Sequence, residues 1–174
     1  MRDLLSQARG PFTSLGLATA LASCVLDQAS KLWLLYEYDL PARGRVALAP
    51  VVELVLVRNY GISYGWFQWL GASARWALVA VTALAVVFLA AWLARVASRL
   101  SAAALGLIIG GALGNAIDRL AQNGAVVDFI RLHVAVAGVD HDWYVFNLAD
   151  AAIVAGVAGL LYESVRPDRA AKVP

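Results

Sequence analysis

Phe146-Asn147-Leu148-Ala149-Asp150 lies inside the apolar stretch Trp143 to Tyr162, and Asp150 is the single charged residue in those 20. Twenty apolar residues cross a hydrocarbon core of about 30 Å. A charge at the centre of such a helix costs about 2.5–3.5 kcal/mol on insertion scales, so an aspartate there marks a functional site and calls for a polar partner. The spacing recurs in Asn115-Ala116-Ile117-Asp118, at the end of another apolar run. In both, amide and carboxylate are i, i+3 and share one helix face. Two such faces predict a common polar site.

Working outward, the 174-residue chain is 61% apolar and 15% charged, against roughly 25% charged in soluble domains. Further runs cover Gly10 to Leu26, continuing past Asp27 to Leu35, Trp76 to Ala94 and Leu100 to Ile117. The expectation is an all-α membrane protein, one integral membrane domain over 1–174 with four transmembrane helices at about 12–34, 74–94, 100–118 and 143–163. Val46 to Val57, punctuated by Pro41, Gly44 and Pro50, reads as short strands or a hairpin. Tyr60, Tyr64, Trp66, Phe67 and Trp69 follow with the composition of an aromatic belt. Together these predict a small β-rich, extracytoplasmic platform over 37–70, between the first two spans. Four spans place both termini on one side. The basic residues divide seven and seven, but the short turn Arg95-Val96-Ala97-Ser98-Arg99 is basic without an acid, while the other side carries nine of the twelve acids. That pattern predicts cytoplasmic termini. A net charge of +2 without a basic stripe predicts no nucleic-acid partner.

On this topology the polar residues converge on the outer face: Asp27, Gln28, Ser30 and Lys31 after the first span, Asn59 and Gly61 after the strands, then Asn115, Asp118, Arg119, Asp128, Asn147 and Asp150. One Cys and two His, His133 and His141, make no metal set, and both histidines read as solvated loop residues. No serine has an evident base. Carboxylates remain: of two facing aspartates sharing one proton, one activates water while the other donates to a carbonyl oxygen. That is aspartic peptide hydrolysis. Asp118 beside Arg119 reads as an ion-paired, structural carboxylate. Gly106, Gly110 and Gly114 form a small-residue ridge for close helix packing.

Asp27-Gln28-Ala29-Ser30-Lys31, Arg58-Asn59-Tyr60-Gly61, Gly110 to Arg119 ending in Asn115-Ala116-Ile117-Asp118-Arg119, Val127-Asp128-Phe129 and Phe146 to Asp150 resemble, in order, the motifs of lipoprotein signal peptidase, the signal peptidase II family of bacterial intramembrane aspartic proteases. The resemblance implies that Asp128 and Asp150 are the catalytic dyad. It makes Asn115, Asp118, Arg119 and Asn147 the polar shell, with Asp27, Lys31, Asn59 and Gly61 supporting the site or contacting substrate. It implies cleavage of diacylglyceryl-modified prolipoproteins on the N-terminal side of the lipidated cysteine, in the inner membrane among lipids, by a monomer without metal or organic cofactor. Ser63-Tyr64 and Ala151 depart from the family's usual residues and bear on substrate fit. Two rivals come from the residues themselves. Leu21-Ala22-Ser23-Cys24 fits a lipobox, which would make the chain a lipoprotein precursor. Intramembrane aspartates also suit an ion- or proton-coupled small membrane carrier.

Overall fold

The computed structural model describes residues 10–61, 73–136 and 139–165. Helix α1, Thr13–Leu32, runs on through a π-helical turn, Trp33–Glu37, and is followed by the short α2, Leu40–Arg43. Strands β1, Val46–Ala49, and β2, Val52–Asn59, form the hairpin expected there. Helices α3, Ser73–Leu93, and α4, Arg99–Ala121, follow, then strands β3, Val126–Val136, and β4, Val139–Phe146, and finally α5, Leu148–Val165. The sequence expectation for Ser63 to Trp69 falls outside the described residues.

Among the described residues, three helices are long and apolar enough to cross a membrane: Arg75–Leu93, Arg99–Ala121 and Leu148–Val165. The fourth long helix, α1, carries Asp27 and Lys31, both buried, near its C-terminal end. Helix α4 is the hub and packs against α1, α3 and α5. Its glycines make this possible. A Cβ at Gly106 would lie 2.4 Å from the Gly16 carbonyl of α1, one at Gly110 the same distance from the Ala20 carbonyl, and one at Gly111 the same distance from the Ala149 carbonyl of α5. Close backbone approach of this kind is how helices associate where burial from water supplies no drive. The ridge therefore serves packing within the chain. Ser23, within the lipobox-like stretch, is part of the seam against Gly110.

The sheet departs from expectation in extent. It has four antiparallel strands in the order β1-β2-β3-β4, and its second half comes from between α4 and α5. Trp143 to Phe146, expected to open the last span, form the end of β4, and the helix begins at Leu148. A run of aromatic and β-branched residues next to an apolar helix reads as one span by hydropathy, yet Ile130 to Leu132 pair with Phe146 to Tyr144 as a ladder. His133 and His141 are likewise strand residues, not loop residues. His133 Nε2 lies 3.7 Å from Glu53 Oε1, whose other oxygen takes Arg131 at 2.6 Å.

Alternation along β3 aims the site. Val127 and Phe129 are buried with Leu34 of the π turn and Leu40 of α2. Asp128, between them, points to the opposite face, toward the ends of α4 and α5.

Candidate active site

Helix α5 starts with a reciprocal cap. Asn147 is the N-cap residue; its Oδ1 accepts from the Asp150 N–H at 2.9 Å, and Asp150 Oδ2 accepts from the Asn147 N–H at 3.4 Å. This is a capping box with Asp at the third helical position, and it satisfies two otherwise orphaned amides. The sequence pair Asn147/Asp150 is thus a folding signal as well as a polar face. The cap leaves Asn147 Nδ2 free to donate to Asp128 Oδ1 at 2.7 Å and to Asn115 Oδ1 at 3.2 Å. Asn115 Nδ2 in turn donates to Asp150 Oδ1 at 2.8 Å. One asparagine on the helix start and one on α4 therefore tie both carboxylates together.

The other oxygen of Asp128 accepts from Asn59 Nδ2 at 3.0 Å across the β2–β3 pair. Asn59 Oδ1 is taken by the Gly61 N–H at 2.8 Å. Gly61 has φ +74°, a left-handed conformation that favours glycine. Asp128 is 1% exposed. Burial pushes its carboxyl up to about 6; the Asn59 and Asn147 bonds and the Lys31 charge oppose the rise, and the Asp150 charge adds to it.

Beneath this pair sits a second cluster built on charge. Lys31 Nζ lies 2.7 Å from Asp27 Oδ2 and 2.8 Å from Asp118 Oδ2, all three side chains being buried. Gln28 Nε2 donates to Asp118 Oδ1 at 2.9 Å, and the Val127 N–H donates to Asp118 Oδ2 at 2.9 Å. Asp118 thus pairs with Lys31, and its neighbour Arg119 turns elsewhere. Arg119 Nη1 donates to the Asn115 carbonyl at 3.3 Å, while its Nε is buried without a partner among the described residues.

The ten residues to which the family resemblance gives a role meet here. Gln28 carries more than its sequence signal suggested, and the role of the Ala149 N–H, which donates to Asp27 Oδ1 at 2.9 Å, has no side-chain signature to find. Beside Asp150 opens a cavity of about 540 Å3 walled by Leu132, Tyr144, Phe146, Ala151, Val154 and Ala158. Among the described residues no group of three or more His, Cys, Asp or Glu could hold a metal ion.

A buried carboxylate and a half-buried one, joined through neutral amides in a bundle of apolar helices, have the make-up of an aspartic hydrolase of the membrane. Known proteins make the class specific. The family model described as Signal peptidase (SPase) II matches residues 19–166. A protein named lipoprotein signal peptidase from Nitrobacter hamburgensis is 56% identical over 159 residues, covering 91% of this chain and 96% of that relative. One of the same name from Methylobacterium sp. is 59% identical, covering 87% and 88%. In solved structures, a bacterial membrane enzyme determined by the in meso method shares the fold at TM-score 0.70 with 22% identity, over 96% of this chain and 99% of that one. The chain belongs to the signal peptidase II family and is a peptidase that removes signal peptides. A carrier function has no support in these comparisons.

Proposed function

We propose that this peptidase acts on prolipoproteins whose lipobox cysteine carries diacylglycerol, and that Asp128 and Asp150 activate the water that attacks the peptide bond on the N-terminal side of that cysteine. The observation that carries the mechanism is the contrast in how the carboxylates are held. Among the described residues, the Asp128 and Asp150 carboxylates accept hydrogen bonds from amide groups only, whereas Asp27 and Asp118 pair with Lys31. Carboxylates held by neutral donors keep a proton available to share.

In the proposed cycle one carboxylate of the pair is ionised and takes a proton from water as the oxygen attacks the scissile carbon. The other, protonated, donates to the carbonyl oxygen, giving a neutral tetrahedral diol. The carboxyl that took the proton from water then gives it to the leaving nitrogen as the C–N bond breaks, while the other carboxylate takes a proton back from a diol hydroxyl, forming the product acid and restoring the pair. Asn115 and Asn147 hold the pair in register, and Asn59 orients Asp128. Burial raises the Asp128 carboxyl to about 6, so it takes up a proton more readily than an ordinary carboxyl does.

The membrane arrangement follows from the same reading. Four helices, α1 included, span the inner membrane with cytoplasmic termini; the sheet forms the outer platform, and the site lies at the outer face. In α1, the buried Asp27 and Lys31 lower the hydropathy without exposing charge to lipid. The apolar cavity ending at Asp150 suits an apolar substrate segment at membrane depth. The protein works as a monomer surrounded by lipid.

The test compares diacylglyceryl-modified and unmodified precursor as substrates for purified enzyme. Two acyl chains add about 0.8 kcal/mol of membrane partition per buried methylene, so the modified form is cut far faster. Equal rates would reject lipid specificity while leaving a membrane aspartic peptidase, and inhibition by a chelator would reject the carboxylate mechanism.

A further inference from the structure

Asp27 is 0% exposed, so it touches no substrate. Its carboxylate instead joins three helices. Oδ2 takes Lys31 at 2.7 Å and Gln28 at 3.2 Å within α1; Oδ1 accepts from the Ala149 N–H of α5 at 2.9 Å. From α4, Gly114 lies so close that an added Cβ would sit 2.5 Å from Asp27 Oδ2, and the three atoms nearest to it all belong to Asp27. Gln28 Nε2 also donates to the Gly114 carbonyl at 3.1 Å.

Ala149 is the second residue of α5, one before Asp150. Amides of a first helical turn lack partners within the helix and attract negative charge through the helix dipole. Helix α1 meets α5 far less than it meets α4, and this bond links the two directly.

We propose that Asp27 is a positioning residue: through the Ala149 N–H it fixes the first turn of α5, and with it Asp150, against α1 and α4, and position 114 is glycine so that the carboxylate can reach. The proposal rests on Asp150 being half of the dyad. A misplacement of about 1 Å costs on the order of 100-fold in rate, and a methyl at 114 displaces the Asp27 carboxylate while removing no charge and neither dyad side chain.

The experiment uses full-length enzyme in detergent with a diacylglyceryl-modified precursor peptide, normalised to folded protein. Gly114→Ala is expected to lower kcat by about 10–100-fold with KM changed less than about twofold, and with the midpoint of the pH dependence of kcat/KM unmoved, since no titrating group changes. Gly159→Ala, where the nearest atom to the new methyl is the Ala104 Cβ at 3.2 Å, is expected to keep wild-type kcat. Should Gly114→Ala fail to fold, the pair Asp27→Asn and Asp27→Ala carries the test. Asparagine retains an oxygen for the Ala149 N–H, so it is expected to keep several-fold more kcat than alanine. Wild-type kcat per folded molecule in Gly114→Ala, or equal kcat in the two Asp27 variants, would overturn the proposal. A shifted pH midpoint in Asp27→Asn would do so as well, by making Asp27 a proton-transfer group. Failure of the dyad itself shows separately, as retained activity in Asp128→Asn or Asp150→Asn, neither of which alters Gly114 or Asp27.

Discussion

Asp118 and Asp128 are ten residues apart and both buried, yet their surroundings give them opposite chemistry. Asp118, at the end of α4, receives a lysine ammonium, a glutamine amide and a backbone N–H. Asp128, on β3, receives two asparagine amides and faces another carboxylate's charge. The first environment sets a cation against the carboxylate; the second, with neutral amides and burial, raises the carboxyl's pKa. Residue type and burial are therefore insufficient to find a catalytic carboxylate, and the donor set decides.

The largest effect expected from breaking this division is at Asp150. Asp150→Asn retains the shape of the cap but removes one of the two proton sites, and cleavage of lipidated precursor should fall to background while the protein still purifies folded. Turnover within tenfold of wild type would remove Asp150 from the chemistry.

Next comes the charged cluster. Lys31→Met strips the cation shared by Asp27 and Asp118 and leaves two buried carboxylates unpaired, a loss of about 3–5 kcal/mol. Thermal unfolding in detergent reads this as a large fall in midpoint, and an unchanged midpoint would show that the cluster is not ionised as drawn.

A smaller effect separates the two regions by pH. Because the folded state raises the Asp128 pKa to about 6, from about 4 in an unfolded chain, the folded state binds the extra proton between those values. Its contribution to stability is present below pH 4 and is lost as pH rises through 6, on the order of 3 kcal/mol at most. Asp128→Asn abolishes that titration, so the variant's stability should fall less than wild type's between pH 4 and pH 7. Parallel profiles would contradict the raised pKa.

The smallest effect concerns Cys24, half-buried on α1 and without a disulfide partner among the described residues. Cys24→Ala should keep activity, and the intact mass of the wild type should show neither an acyl adduct nor loss of residues 1–23. An acylated, truncated species would make the chain a lipoprotein precursor.

Much of the site was legible because its signals are local. The i, i+3 pairs Asn115/Asp118 and Asn147/Asp150 advertise shared helix faces, and a charge within an apolar run is conspicuous. The sequence suggests an ion-paired Asp118 from its neighbour Arg119, but adjacency on a helix turns Arg119 away, and Lys31 holds it. What stayed hidden is non-local. The β2–β3 pairing joins Val57 to Asp128 across some 70 residues, and no pattern in either strand names its partner. Trp143 to Phe146 carry composition equally fit for helix or strand. Gly114 was visible as part of a ridge, but its contact with Asp27 depends on how three helices meet.

The most direct test sets the two regions side by side: initial cleavage rates of diacylglyceryl-modified precursor by Asp128→Asn and Asp118→Asn, each normalised to folded enzyme in the same lipid. The structure predicts background turnover for Asp128→Asn at wild-type-like stability. For Asp118→Asn it predicts measurable turnover with stability lowered by about 1–3 kcal/mol, from the lost charge-assisted bonds. A fully stable Asp118→Asn without activity, or an Asp128→Asn that still cleaves, would contradict the assignment of the dyad.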